Sequence, residues 1–150
     1  MMTQNEFLER LHLVLQALRD GDLSPRVRPW DDPLSDKVGQ TMNETIEHLV
    51  RVIAEVSRVQ YEVGILGQLG PVADVPGARG DWKGMLDRVN QLAGNLTNQI
   101  RNFSSTVSAL ERGEAGARAT APCHGELRQL RDAINRVIEK SESEMNAPAA

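Results

Sequence analysis

Histidine and cysteine are where unassisted chemistry would begin in this chain, and it has few of either. The histidines are His12, His48 and His124, and Cys123 is the only cysteine. Cys123 and His124 stand side by side after Pro122. A thiolate and an imidazole are good ligands for zinc, but a site takes three or four protein ligands and two do not make one. A single cysteine also excludes an internal disulfide. His124 invites a second reading, phosphoryl acceptance, which calls for a glutamate directly after the histidine. Gly125 separates His124 from Glu126. Glu126 is better explained as the acidic opening of a helix, where its charge meets the positive end of the dipole. His12 and His48 lie within helical patterns, off the main apolar stripe. The glycines are spread through connectors rather than gathered in a phosphate-binding loop. No serine, histidine and aspartate form a nucleophile–base–orienter arrangement, and nothing activates a lone serine or carboxylate. The expectation is a chain that is not an enzyme, with no catalytic residue, no cofactor-binding residue and no metal ligand set.

Composition narrows the partners. The chain has 150 residues, a formal net charge of −4 and only 3% aromatic residues, so any core is aliphatic. Lys37, Lys83 and Lys140 are the only lysines and no basic block stands out, which argues against nucleic acid. Apolar runs are far too short to cross a membrane, so no direct membrane span is expected. The opening MMTQNEFLER lacks the regions of a signal peptide. Asn43, Asn95 and Asn102 open Asn-x-Ser/Thr triplets, which read as chance in a chain without an export signal. A cytoplasmic location follows as the expectation.

The elements that must position any function come in a repeat. Gly21, Gly67 and Gly113 each follow a leucine-rich helical pattern, at spacings of 46 and 46. Asn43, Asn90 and Asn135 each follow an apolar residue in the next helical pattern, at spacings of 47 and 45. Three copies in phase make an internal repeat, which has to be settled before any other reading. In each copy a helix ends at a glycine, where a left-handed cap is cheap. A Pro-containing connector follows, DLSPRVRPWDD, QLGPVADVPGARG or EAGARATAPCHG, and then a second helix.

That second helix carries the clearest physical signal. One apolar series is Val38, Met42, Thr45, Leu49, Val52, Val56, Val59, Val63, Leu66, with Thr45 its only polar member. The next is Trp82, Met85, Val89, Leu92, Leu96, Ile100, Phe103, Val107, Leu110, and the third is Leu127, Leu130, Ile134, Val137. Steps alternate between three and four, the period of a coiled-coil seam. The doubled four at Leu92–Leu96–Ile100 is a stutter, which locally unwinds a supercoil. No proline breaks 34–70 or 82–112, so the second helix of one copy runs into the first helix of the next. A helix of about 32 residues is about 48 Å long. A narrow seam on such a helix needs partners along its whole length. One chain supplies two helices per copy, so a second chain would complete a four-helix bundle. Leu23 and Val27 in the first connector, and Leu69 with Val72 or Val75 in the second, would pack between the helices.

The pattern resembles the HAMP domain, the signal-relay module of bacterial receptors and histidine kinases. The family order is helix, Gly-x-Leu, connector, an acidic residue opening the second helix, then apolar–Asn. It reads GDL and MN, then GQL, DW and VN, then GEL and IN. The stretch EVGILGQLGPVADVPGARGDWKGMLDRVNQLAGNLTNQIRNF is similar to the linked HAMP repeats of soluble hybrid histidine kinases, and the resemblance covers roughly residues 5–142. Leu34 and Ser35 depart from it at the start of the first copy's second helix. Ala115 and Ala117 stand where larger connector residues are expected. In the second copy Gly64 takes the place of a leucine, which rotates the local seam toward Val63 and Leu66.

The resemblance implies an all-α fold of parallel homodimeric four-helix coiled-coil bundles stacked end to end. The units would span 5–51, 52–97 and 98–142, with 143–150 a disordered tail. It implies a relay that passes conformational change to a kinase or chemotaxis-type output. The implied partners are a second copy and a histidine kinase, chemoreceptor or other signalling protein. The alternative is a dimeric adaptor or scaffold that docks a signalling or motility protein. Trp82 is expected as a core anchor, and Asn43, Asn90 and Asn135 as hydrogen-bonding partners of the connectors.

Overall fold

The computed structural model describes residues 3–145, which form four helices and no strand. They are α1 (Gln4–Arg19), α2 (Pro33–Gly64), α3 (Gly80–Glu111) and α4 (Gly125–Met145). The all-α bundle class is therefore as expected. Both long helices run for 32 residues, because neither meets a proline after its first turn.

Local chemistry fixes the ends. Thr3 and Glu6 close a reciprocal capping box at the start of α1. Asp32 caps α2, accepting from the Ser35 N–H at 2.8 Å, and Pro33 occupies the first helical position, where no N–H is needed. That bond holds the Asp32 carboxyl below its ordinary range. α3 and α4 begin differently, each at a glycine with φ of 54° followed by an acidic residue, Asp81 or Glu126. The atypical start expected for the second helix of the first copy is thus an Asp–Pro entry.

The helix ends separate the copies further. Gly21 donates to the Leu18 carbonyl and Asp22 to that of Ala17. Gly113 and Glu114 do the same to Leu110 and Ala109. Both are Schellman ends on a left-handed glycine. α2 instead stops at Gly64, and Gln68 reaches back to the Glu62 carbonyl at 2.8 Å. Ile65 and Leu66 fall outside the helix, 64% and 50% exposed. Leu66 is not a seam residue, because a glycine at the last helical position lets the chain leave early.

The described chain forms two compact units. One holds the residues up to Tyr61 together with Ala73–Asp87; the other holds Glu62–Val72 and the residues from Arg88 onward. In the first, Phe7 and Val14 of α1 pack with Val27 of the connector and Ile46 of α2, with Leu23 and Trp30 against them. Leu23 and Val27 lie between the helices as expected. Val75, not Val72, is the buried anchor of the second connector; Val72 is 60% exposed. In the other unit the core is smaller, with Phe103 of α3 over Ala119, Ala121 and Cys123. α4 continues through Ser141 to Met145, where the sequence suggests a frayed end. Residues 146–150 lie outside the described part.

Candidate functional site: clamped connectors beside an open seam

Asn43 and Asn135 each sit one residue past the seam, on the flank that meets a connector. The Asn43 carboxamide accepts from the Val27 N–H at 2.9 Å and donates to the Val27 carbonyl at 2.8 Å. Asn135 does the same to Ala119, at 2.8 and 3.1 Å. Each clamp satisfies both polar groups of one connector residue that is itself buried, Val27 at 4% and Ala119 at 3% exposed. Val27 and Ala119 both stand six residues past the capping glycine, as does buried Ala73 in the second copy.

The helices before the second and third connectors grip them from the other side. The Asn102 side-chain Oδ1 accepts from the N–H groups of Thr120 and Ala121, both at 2.9 Å. Gln99 donates to the Pro122 carbonyl, and Thr106 Oγ1 reaches the Arg118 carbonyl. In the second copy Glu55 takes the place of Asn102 and accepts from Asp74. The Arg58 guanidinium, and then this N–H, hold the Glu55 carboxyl below its ordinary value. The polar run Asn95–Asn102 is therefore partly a grip on the next connector. Sequence reasoning treats it as a helix flank, because amide side chains facing water and amide side chains facing a loop look alike in one dimension.

Burial divides each helix into faces. In the second helices the side chains buried within the chain fall one residue past the predicted seam. Gly39 and Ile46 are buried, while Val38 and Thr45 are exposed, and the same holds for Ser35 beside Leu34 ahead of the series. Ala93 and Thr97 are buried, and Leu92 is 71% exposed. Ile138 is fully buried, and Val137 is 60% exposed. One residue is about 100° of helix. In the first-helix half of α3 the contacts move to the residue before the seam: Asn102 before Phe103, and Thr106 before Val107. The change of flank follows the stutter at Leu92–Leu96–Ile100. The seam itself stays open at many positions, including Leu130 at 48% and Val107 at 41%. On α2 it forms a shallow groove of about 450 Å³ between Leu34, Val38, Met42 and Thr45.

The chemistry-bearing residues do not converge. Cys123 is buried in the smaller core, and the His124 carbonyl accepts from Arg128 as α4 begins. His48 meets the edge of Trp82, ring centroids 6.0 Å apart. Trp82, expected as an anchor, is 39% exposed, since its own chain leaves that stretch of seam uncovered. No group of three His, Cys, Asp or Glu suited to a metal occurs among the described residues, and no described helix is long and apolar enough to cross a membrane.

Residues 77–143, just under half of the chain, match the HAMP domain family. A HAMP domain, a signal-transducing type of module, is therefore present there, spanning α3, the third connector and α4. No solved structure matches the chain.

Proposed function

We propose that the chain is a non-enzymatic, cytoplasmic signal-relay module: three linked HAMP units in a parallel homodimer. It passes a change of helix packing from unit to unit, to a kinase or chemotaxis-type output in a bacterial two-component system. The observation that carries the reading is the open seam beside a clamped connector. Each long helix buries one flank against its own chain and leaves part of its regular apolar stripe exposed, at Val38, Leu92, Ile100 and Val107, while Val52, Val59 and Phe103 on the same stripe are buried. A helix with two apolar faces about 100° apart sits at a corner of a four-helix bundle, and one chain supplies only two corners per unit. Burying a leucine or valine contributes about 1.5–3 kcal/mol, so a second copy along the seam has ample driving force. Small and polar seam residues such as Thr45, and the flank change after Leu92, keep alternative packings within the few kcal/mol that a relay needs.

The test places single cysteines at Leu92 and Val137 in a Cys123→Ala background. A mass in solution of twice the 16.6 kDa chain, with like-to-like disulfides at both positions, is expected. A monomer without crosslinks would remove the physical basis of the relay. The output is tested by fusing the C-terminal end to a kinase core and comparing its autophosphorylation with the Leu92 crosslink open and closed. An unchanged rate would favour an adaptor.

A further inference from the structure

The third connector carries a tie that the other copies lack. The Glu142 carboxylate on α4 accepts from the Gly116 N–H at 2.7 Å and from both terminal nitrogens of Arg118, at 3.2 and 2.8 Å. Neither side chain is well exposed, at 35% for Arg118 and 21% for Glu142. These bonds, the Arg118 side chain first, depress the carboxyl to about 2. The register locates the two partners. Arg118 stands five residues past its capping glycine, and Glu142 seven past its clamping asparagine. The same two places hold Arg26 and Val50 in the first copy, and Val72 and Thr97 in the second. Arg26, with no acid at the paired place, turns to the carbonyls of Leu23, Ser24 and Pro25. A valine and a threonine offer no charge at all. The second connector is tied differently, by Arg101 on α3 donating to the Leu69 carbonyl at 2.9 Å.

We propose that Arg118 and Glu142 form a latch, confined to the third copy, that fixes the third connector to the C-terminal turns of α4. With the latch closed, connector and helix end move together. With it open, the connector is held to α4 by the Asn135 clamp and the alanine contacts, and can shift without carrying the end of the helix. All the groups lie in one chain, so the proposal stands whether or not the chain dimerises.

Hydrogen exchange on the full chain, read by NMR at the amides of Gly116 and Ala119, tests this. Glu142→Gln should speed exchange at Gly116 by about tenfold or more, through local opening, and leave Ile134 and Ile138 on α4 unchanged. Glu139→Gln is the control, an acid one turn earlier on α4 that makes none of these bonds and acts on Arg118 only through space, and should change exchange at Gly116 far less. Arg118→Lys keeps the charge but loses the paired geometry, and should fall between the two. Should Glu142→Gln unfold the chain, Arg118→Lys carries the same comparison. Equal exchange at Gly116 in Glu142→Gln, Arg118→Lys and Glu139→Gln would overturn the latch. So would a uniform rise across α4, which would mark a general loss of stability.

Discussion

Removing one clamp carboxamide is the sharpest test of how the connectors are held. Asn135→Ala deletes the acceptor for the Ala119 N–H and the donor to its carbonyl. Two neutral hydrogen bonds contribute about 1–3 kcal/mol together, and Ala119 is too buried for water to replace them, which pushes the cost upward. The better helix propensity of alanine returns about 0.5 kcal/mol. A net loss of about 1.5–3 kcal/mol is expected, read by urea unfolding at one fixed chain concentration so that association does not blur the comparison. Asn135→Asp separates geometry from charge. It keeps the acceptor but turns a carboxylate oxygen toward the Ala119 carbonyl. It should be worse than alanine near neutral pH and recover as acid protonates it, since a neutral carboxyl can donate again. Asn43→Ala should cost a similar amount, because Val27 is held and buried in the same way. The two clamps share no residue, so the double variant should show the sum. A loss under about 0.5 kcal/mol for Asn135→Ala, the range of an ordinary surface change, would refute the clamp.

Three further expectations follow from packing and charge. A Cβ at Gly39 would stand 2.9 Å from Val27 Cγ1. Gly39→Ala should therefore destabilise by about 1 kcal/mol despite better helix propensity, yet become stabilising in a Val27→Ala background; calorimetry of the four combinations shows whether the sign reverses. Thr97 Oγ1 is buried without a hydrogen-bond partner, so Thr97→Val should leave stability unchanged or raise it by about 1 kcal/mol, and a clear drop in Tm would mean that the hydroxyl is satisfied. Glu142 has a folded-state pKa of about 2 against an ordinary 4.5, so its contribution is complete above about pH 5 and is lost as pH falls toward 2. The stability gap between the parent and Glu142→Gln should shrink over that window, and a gap independent of pH would argue against the ion pair.

Much of the fold was legible because it rests on periodic or local signals. The glycine period marks two Schellman ends, and the absence of proline gives the two long helices. The asparagines stand out because a carboxamide one residue past an apolar seam recurs in phase. Side chains buried within the chain were harder to find. Thr45–Ile46, Leu92–Ala93 and Val137–Ile138 are adjacent pairs, and a period of 3.5 selects the first of each, whereas the chain's own neighbours cover the second. A seam read from spacing alone reports the face with the most regular period, and the chain buries that face itself only at Val52, Val59 and Phe103, covering the neighbouring flank at the three pairs above. The grips by Gln99, Asn102 and Thr106, and the Glu142 tie, join residues 12 to 26 positions apart. Apart from the Arg118 side chain, their partners are backbone groups, which carry no sequence signature. Leu66 was misplaced because Gly64 ends a helix that the apolar spacing would continue.

Between the first and third copies, the latch tracks the size of the connector anchor; the second copy, with Ala73 at the clamped place, is tied by Arg101 instead. At the clamped place the first connector carries Val27, backed by Leu23 and Trp30 against Phe7, and the third carries Ala119, followed by Ala121 and Cys123. Valine exceeds alanine by two methyl-sized groups, about 1.6 kcal/mol of burial at about 0.8 per group. Held by apolar contact and the asparagine clamp alone, the third connector would be the looser of the two, as Ala115 and Ala117 suggest from the sequence. The charged tie from Glu142 falls on this small-anchored connector and is missing where Val27 already fills the gap. Enlarging the anchor should then make the tie dispensable. An Ala119→Val variant that tolerates its extra methyls should lose less connector protection on Glu142→Gln than the parent does. An equal or larger loss in that background would show that anchor size and latch act independently.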